Sequence, residues 1–331
     1  MNHSFIRSIT ILGAGSWGTA LALHLSRQGY FVYLWSIEKT EISSLMAERE
    51  NTRYLPGFPF SATIKPVGDL HSALSQSQDV IIAVPSIGFR NTVNLLKPAL
   101  QAHHRIICAT KGMDDNNNQL FHEASLDLLG EHHPFAILSG PSFAKEVASG
   151  LPTALILASK DGTFRQEIIK AWQSDFFKLY PSQDIIGVEI GGLIKNIIAI
   201  AIGIADGLSF GTNMKSALIT HGLTEMIRLG TALGGHMETF IGLSGLGDLI
   251  LTCTDDQSRN RRLGLALGRG QDLQLAEQEI GQAVEGKRNA RLVNSLAQHH
   301  QIDMPICEMI WQILQGHITI NEIKHKLLEV L

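Results

Sequence analysis

The chain has 331 residues, of which 44% are hydrophobic and 18% are charged, and it carries a formal net charge of −4 at pH 7. This length exceeds the usual size of one domain, so we expect two domains, each with its own core. The charge balance lacks the basic excess of nucleic-acid-binding proteins, which excludes that class of partner.

The three cysteines, Cys108, Cys253 and Cys307, are far apart and odd in number. They indicate neither a disulfide framework nor a thiolate metal site, and they favour a reducing compartment.

Two segments bear on targeting. Residues 1–7 are short and polar and lead directly into an apolar run, unlike a signal peptide. Residues 188–205 are about long enough to span a membrane, but Glu189, Lys195 and several glycines interrupt them, and charges at mid-span are costly. We therefore expect a buried helix instead of a membrane span, and a cytoplasmic protein.

The most informative motif is GAGSWG at residues 13–18, which follows a short apolar run and precedes a helix-forming stretch at residues 19–27. In such a GxGxxG pattern Gly13 permits a tight turn. Gly15 lets the backbone approach a pyrophosphate, and Gly18 lets the helix pack on the strand. The N-terminus of the helix then faces the phosphates. The motif predicts a dinucleotide-binding site.

The residues after this motif complete the same unit. A second apolar run at residues 31–35 predicts the next strand. Glu38 lies twenty residues beyond Gly18, where an acid that contacts the ribose is expected. We expect Trp17, inside the glycine loop, to pack near the cofactor instead of taking part in catalysis.

Strand-like runs alternate with helical patterns up to about residue 185. Beyond the first two, these runs comprise residues 79–84, 105–109, 135–138, 153–158 and 176–180. Such alternation predicts a doubly wound, mostly parallel sheet covered by helices, which is an α/β fold of Rossmann type. From residue 190 onward helical periodicity dominates. We predict a dinucleotide-binding domain of residues 1–187 and an all-helical substrate and catalytic domain of residues 188–331.

Lys195 and Asp248 are the two candidate catalytic residues. Lys195 lies in an apolar helical stretch, where a buried ammonium must be paired or have a lowered pKa, and either state suits an acid or base. Alternatively, its stem lies in the core while its ammonium reaches solvent. Asp248 follows the glycine-rich sequence GLSGLG. It is either a helix N-cap or a carboxylate that orients a substrate hydroxyl or the lysine.

Ser258, Arg259 and Asn260 precede a helical pattern at residues 261–267. An arginine, an amide and backbone N–H groups at a helix N-terminus commonly hold a phosphate. The alternative interpretation is a serine cap followed by a solvated basic turn. Lys111, after a predicted strand, has two similar interpretations, as the partner of an anion or as a surface charge.

Other catalytic classes lack support in the sequence. A GxSxG pattern is absent, which argues against a serine hydrolase. Neighbouring histidines would point apart in a helix or strand, and no acid or cysteine stands at ligand spacing, so we expect no metal site. These histidine pairs are His103 and His104, His132 and His133, and His299 and His300.

Eight segments of the chain occur in a characteristic order. They are GAGSWGTALA, ENTRYLPG, VPS, ATKG, SGPSFAKEV, LIKNIIAIAIGIADGL, GLSGLGDLILTCT and SRNRRLG. Their order and spacing resemble those of bacterial NAD(P)-dependent glycerol-3-phosphate dehydrogenases over most of the chain. The resemblance implies reduction of dihydroxyacetone phosphate to sn-glycerol 3-phosphate, the precursor of glycerophospholipids, with NAD or NADP as cofactor and no metal. We also expect a homodimer.

The resemblance further implies roles for individual residues. Lys195 would donate a proton to the forming alkoxide and accept it in the reverse direction, with Asp248 beside it. The residues implied to bind the phosphorylated substrate are Lys111, Gly140, Ser142, Lys195, Asp248, Ser258, Arg259 and Asn260. Those assigned to the cofactor, from the glycine motif or from the resemblance, are Gly13, Gly15, Ser16, Trp17, Gly18, Glu38, Lys111, Ala144, Arg259, Ala283 and Glu285.

The residues after the second predicted strand depart from the family pattern. Many relatives place an arginine or histidine there, whereas this chain has SIE at residues 36–38. Glu38 would favour the 2′-hydroxyl of NAD if it points inward. Lys39, Arg49 and Arg53 are alternative partners for a 2′-phosphate. The sequence therefore leaves the cofactor preference open.

Two other functions also remain open. A different two-domain reductase, of ketopantoate or 3-hydroxyacid type, would share the glycine motif and the lysine but would have little use for Arg259 and Asn260. A non-catalytic protein that senses NADH would need only the glycine motif. Lys195 and Asp248 argue against that second alternative.

Overall fold

The apolar runs of the first half of the chain form the strands of a parallel sheet. The computed structural model describes residues 7–318 and 320–329. The strands are β1 (Ser8–Leu12), β2 (Phe31–Trp35), β3 (Glu50–Asn51), β4 (Leu55–Pro59), β5 (Ile64–Val67), β6 (Asp79–Ile82), β7 (Arg105–Cys108), β8 (Phe135–Ser139), β9 (Thr153–Ala158) and β10 (Phe177–Ser182). The helices of the same half are α1 (Ser16–Arg27), α2 (Lys39–Glu48), α3 (Leu70–Leu74), α4 (Phe89–Leu96), α5 (Phe121–Leu129), α6 (Ala144–Ser149) and α7 (Gly162–Trp172).

The rest of the chain is helical. Its helices are α8 (Ile185–Gly207), α9 (Gly211–Ala232), α10 (Met237–Phe240), α11 (Asp248–Thr254), α12 (Arg259–Gly268), α13 (Leu273–Ile280), α14 (Glu285–His299), α15 (Pro305–Leu314) and α16 (Ile320–Glu329). A π-helical turn, Leu243–Gly247, runs directly into α11. The predicted fold class, a Rossmann-type sheet followed by a helical domain, is confirmed.

Eight strands form one sheet in the order β10-β9-β8-β7-β6-β1-β2-β5. The seven predicted strands are all present, with shifts of a few residues at their ends. The sequence analysis missed β3, β4 and β5. Strands β4 (LPGFP) and β5 (IKPV) are short and contain proline, so their apolar signal is weak. Strands β3 and β4 pair with each other as a separate antiparallel ribbon within the ENTRYLPG segment.

The glycine motif lies where the sheet changes direction. Strand β1 pairs with β2 on one side and with β6 on the other, so the chain order reverses at the β1–β6 boundary. Gly13 follows β1 with φ of +112°, a left-handed conformation that favours glycine. A β-carbon there would lie 2.6 Å from the carbonyl oxygen of Ala83, which follows β6. The tight turn thus occupies the crevice where doubly wound sheets bind their ligands.

Helix α8 is the core of the helical half. It packs against α9, α11, α12, α14 and α15. It is the one helix of residues 7–318 and 320–329 that is long and apolar enough to cross a membrane, and 94% of its most apolar window is buried inside the protein. The expectation of a buried helix is therefore confirmed. An apolar surface on every side is typical of a helix at the centre of a domain.

Helices α8 and α12 approach closely because glycines line both. Gly203 and Gly207 of α8 face Gly264 and Gly268 of α12, and a β-carbon on Gly264 would overlap the carbonyl oxygen of Ile200. Any side chain at these positions would push the two backbones apart. The contact holds the N-terminus of α12 beside the middle of α8.

The chain divides into two compact units. The first comprises residues up to Thr110, Phe121–Leu138 and Ser142–Gln183, and the second comprises Lys111–Leu120, Ser139–Pro141 and the chain from Asp184 onward. The sequence-based domain boundary after residue 187 falls within the first turn of α8. Two short segments that follow strands of the sheet, including Lys111 and Gly140, thus belong to the helical unit.

Candidate active site

Lys195 lies one residue before the centre of the buried glycine-rich helix α8 and is itself only 6% exposed. Its Nζ donates hydrogen bonds to Asp248 Oδ1 at 2.5 Å and to Thr252 Oγ1 at 2.9 Å. Thr252 in turn donates to the carbonyl oxygen of Asp248 at 2.6 Å. The ammonium is therefore paired inside the protein, so the interpretation in which it reaches solvent is wrong.

Lys111 contributes a second ammonium to the same carboxylate. Its Nζ donates to Asp248 Oδ2 at 2.6 Å and to the carbonyl oxygen of Gly140 at 2.9 Å. Asp248 is fully buried and is the first residue of α11, whose N-cap position is Gly247. The interpretation of Asp248 as an N-cap is thus wrong, and Lys111 is not a simple surface charge. One carboxylate lies between two lysines, which form the Lys195–Asp248–Lys111 cluster.

This cluster shifts the protonation of Lys195. Burial lowers the pKa of Lys195 from 10.5 to about 8, the Asp248 carboxylate opposes that change, and the Lys111 ammonium adds to it. Two adjacent ammoniums sharing one carboxylate disfavour the second positive charge. A lysine that titrates near neutral pH can act both as an acid and as a base.

A chain of buried amides joins this cluster to the start of α12. Asn196, next to Lys195, accepts a hydrogen bond on Oδ1 from Asn260 Nδ2 at 2.8 Å. Asn260 Oδ1 accepts the backbone N–H of Gly286 at 2.8 Å, in the first turn of α14. The N-termini of α12 and α14 therefore meet at Asn260. Each carries a partial positive charge that favours an anion.

The SRN segment has the predicted serine cap, and its role toward a phosphate stays a prediction. Ser258 is the N-cap of α12, and its Oγ accepts the N–H of Arg261 at 3.2 Å. The helix begins at Arg259, two residues earlier than predicted. Arg259 donates to Gln282 Oε1 at 3.4 Å, and burial lowers the pKa of its guanidinium while the Glu285 carboxylate opposes that shift. A charged guanidinium next to two helix N-termini can hold a phosphate.

The glycine motif of the first unit fits a pyrophosphate. A β-carbon on Gly15 would meet nothing within 4 Å, whereas one on Gly18 would overlap the carbonyl oxygen of Gly13. No side chain caps the N-terminus of α1. The indole Nε1 of Trp17 is buried and has no hydrogen-bond partner among the described residues. Open space, a helix N-terminus and a buried donor together suit an anionic cofactor.

The residues that follow β2 are those expected to contact the ribose of the cofactor. Glu38 occupies the N-cap position of α2, but its side chain forms no capping hydrogen bond and is exposed. Ser36 instead donates to Glu41, whose carboxyl pKa is raised by burial. Arg49 donates to the carbonyl oxygens of Ser61 and Ile64. The guanidinium of Arg53 lies 4.9 Å from the Tyr54 ring centroid. Of the two arginines, Arg53 is therefore the better candidate to contact a 2′-phosphate.

The remaining predicted residues are spread over both units. Ser16, at the start of α1, donates to the carbonyl oxygen of Tyr54 at 2.8 Å. Ser142 and Ala144 belong to the first unit, where Ala144 begins α6. Ala283 is exposed before α14, and Glu285 is the first residue of that helix. Their roles toward a cofactor or substrate stay predictions.

Sequence reasoning missed two side chains of the site. Thr252 stands four residues after Asp248 and shares its helix face, a spacing that could have identified it. Asn196 lies beside Lys195 in the segment LIKNIIAIAIGIADGL, but its partner Asn260 is 64 residues away. Within the described residues, the structure contains no group of three or more histidines, cysteines or acids that could hold a metal ion.

Comparisons with known proteins agree with this arrangement. The family model for the NAD-dependent glycerol-3-phosphate dehydrogenase N-terminus matches residues 8–165, and the model for its C-terminus matches residues 184–325. A glycerol-3-phosphate dehydrogenase (NAD(P)+) of Thioalkalivibrio sulfidiphilus is 48% identical over 316 residues, 95% of each chain. That of Pasteurella multocida is 50% identical over 307 residues, 92% of this chain and 91% of the relative.

A solved structure resembles the chain equally well. The crystal structure of glycerol-3-phosphate dehydrogenase from Coxiella burnetii has a TM-score of 0.95 and 48% identity, and the match covers 98% of this chain and 99% of that one. Both halves of the chain therefore match one enzyme family. The chain belongs to the NAD-dependent glycerol-3-phosphate dehydrogenase family.

Proposed function

We propose that this protein interconverts dihydroxyacetone phosphate and sn-glycerol 3-phosphate, using NAD(H) or NADP(H). The observation that carries the proposal is the Lys195–Asp248–Lys111 cluster, in which a buried ammonium with a pKa of about 8 is held by a carboxylate. A protein that only sensed NADH would have no use for such a group. Removing Lys195 and Asp248 from water costs free energy, and buried charged groups of this kind are concentrated at functional sites.

Each residue of the cluster has a separate task in the reaction. When bound, the nicotinamide supplies the hydride to the ketone carbon. Lys195 hydrogen-bonds the ketone oxygen and donates its proton as the alkoxide forms, and in the oxidation the neutral amine takes the proton back. Asp248 fixes the position of the Lys195 ammonium. Lys111 adds positive charge near the developing oxyanion.

The phosphate of the substrate is the second recognition element. We assign it to Arg259, Asn260 and the N–H groups at the start of α12, because Asn260 is held by Asn196 and Gly286. Binding energy from this remote group orients the ketone next to Lys195. A ketone without phosphate would lack that orientation, which distinguishes this function from reductases of ketopantoate or 3-hydroxyacid type.

The test is a direct assay of the purified full-length chain. Dihydroxyacetone phosphate is supplied with NADH or NADPH, and oxidation of the reduced nicotinamide is followed by absorbance. Lys195→Met is expected to lower kcat by at least about 100-fold while NADH affinity stays near the wild-type value. Lys170→Met, at an exposed position of α7, is the matched control and should retain full activity. Retention of more than about a tenth of kcat in Lys195→Met would refute the proton-donor role.

Three attributes of the protein also belong to this proposal. We propose that it is cytoplasmic, that it forms a homodimer, and that its product supplies glycerophospholipid synthesis. The three free cysteines support the first, because thiols persist in a reducing compartment. Light scattering coupled to gel filtration tests the second. A monomeric mass across the micromolar range would refute it.

A further inference from the structure

The hydroxyl of Ser139 has no assigned role in the reaction described above. Ser139 is the last residue of β8, belongs to the second unit and is 3% exposed. Its Oγ has no hydrogen-bond partner among the described residues. Buried hydroxyls in native proteins are nearly always hydrogen-bonded, so an unpartnered one beside an active site is a candidate partner for a ligand.

Its position places this hydroxyl beside the catalytic cluster. The next residue, Gly140, accepts the hydrogen bond of Lys111 Nζ at 2.9 Å. A β-carbon on Gly192 would lie 3.1 Å from Ser139 Oγ and 3.5 Å from Lys111 Cγ. Gly192 precedes Lys195 by three residues, so the two share a face of α8. The Ser139 hydroxyl therefore lies against the face of α8 that carries Lys195, alongside the stem of Lys111.

Gly192 allows Ser139 and Lys111 to approach α8 closely. Any side chain there would press on both the hydroxyl and the stem of Lys111. The absence of a side chain lets the Ser139 hydroxyl and the stem of Lys111 lie directly against the backbone of α8, one turn before Lys195.

This inference rests on the proposed function. In that function one polar group of the substrate has no protein partner. Lys195 contacts the ketone oxygen, and Arg259 and Asn260 contact the phosphate. The hydroxyl on carbon 1 of dihydroxyacetone phosphate remains. A serine hydroxyl can donate one hydrogen bond and accept others, so it suits another hydroxyl. We propose that Ser139 Oγ hydrogen-bonds the carbon 1 hydroxyl and thereby selects phosphorylated hydroxymethyl ketones.

The experiment compares two substrates that differ only in that hydroxyl. These are dihydroxyacetone phosphate and acetonyl phosphate, each assayed with NADH and the full-length enzyme. The wild-type enzyme is expected to prefer dihydroxyacetone phosphate by roughly 10- to 100-fold in kcat/KM, because a site built to bind a hydroxyl rejects the analogue that lacks it. Ser139→Ala should lose that factor toward dihydroxyacetone phosphate and change by less than about twofold toward acetonyl phosphate.

Ser125→Ala provides the matched control. Ser125 lies in α5 of the first unit, is buried and also has a hydroxyl without a partner among the described residues. This variant should keep the wild-type preference. An equal change of preference in both variants would overturn the proposal, since it would reflect loss of any buried hydroxyl.

The remaining outcomes are distinguishable. Equal losses on both substrates in Ser139→Ala would overturn the proposal, because they would show that Ser139 acts on the lysines. A wild-type enzyme that turns over both substrates equally would overturn it without any variant. Failure of the wild-type enzyme to reduce either phosphorylated ketone would instead refute the proposed function itself, and this inference with it.

Discussion

The lowered pKa of Lys195 predicts opposite pH dependences for the two directions of the reaction. Reduction needs the protonated ammonium as an acid, whereas oxidation needs the neutral amine as a base. With a pKa of about 8, kcat/KM for ketone reduction should fall as pH rises through about 8. The same constant for glycerol 3-phosphate oxidation should rise over that range. A surface lysine has a pKa above 10, so neither the fall in reduction nor the rise in oxidation would then occur near pH 8.

The size of the effect follows from the titration and from its neighbours. One pH unit above the pKa leaves about a tenth of the lysines protonated, so reduction should be about tenfold slower at pH 9 than its plateau value. The Asp248 carboxylate, 2.5 Å from the ammonium, raises the Lys195 pKa against the effect of burial. Asp248→Asn should therefore move the midpoint to lower pH by roughly 1 to 3 units.

The assay is a pair of kcat/KM profiles, which report the pKa values of the free enzyme. The substrate phosphate titrates near about pH 6 in every variant, so a midpoint displaced toward that range is recognised by the loss of the pH dependence between about pH 7 and 9. Asp303→Asn is the control, because Asp303 is exposed and pairs with Arg228 at 3.5 Å away from the cluster. Midpoints that stay in place in Asp248→Asn would refute the proposed coupling. The reasoning would also be refuted if kcat/KM for reduction and kcat/KM for oxidation changed in the same direction as the pH rises through about 8.

Three further changes test the phosphate site, the cofactor and the packing. Arg259→Ala should lower kcat/KM toward dihydroxyacetone phosphate by about 10- to 100-fold and hardly alter slow turnover of unphosphorylated dihydroxyacetone, with the exposed Arg262→Ala as control; equal losses would indicate a folding defect. The wild-type enzyme should use NADH at least as well as NADPH, and Glu38→Ala should shift kcat/KM toward NADPH; a preference for NADPH of about tenfold that the variant leaves unchanged would contradict this. Gly264→Ala should lower the free energy of unfolding by about 1 to 3 kcal/mol in denaturant melts, because its methyl would overlap Ile200, whereas Gly162→Ala should have little effect.

The local pattern of the sequence was enough for the architecture. The GAGSWG turn, its flanking strands and the buried apolar helix at residues 185–207 could be recognised because each is a contiguous segment with its own periodicity. Strands β4 and β5 were missed because they lack such a periodic pattern. Their few residues and their prolines carry little periodic signal, and β5 is defined by its pairing with β2.

The types of the site residues were also legible in the sequence. A lysine among isoleucines had to be paired or have a lowered pKa, and an SRN segment before a helix suggested an anion site. The surroundings of these residues could not be predicted from the sequence. Whether Asp248 capped its own helix or held Lys195 depended on a residue 53 positions away. No local pattern distinguishes those two arrangements.

Tertiary structure alone decided the chemistry of the cluster. Folding brings Lys111 to a carboxylate 137 positions along the chain and buries Lys195 beside it. The pKa of the lysine depends on desolvation and on charges a few ångströms away, and both are set by packing. The sequence by itself determined which groups were present and the class of fold. Only the tertiary structure determined which of those groups are electrostatically coupled, because coupling depends on distance in space and not on separation along the chain.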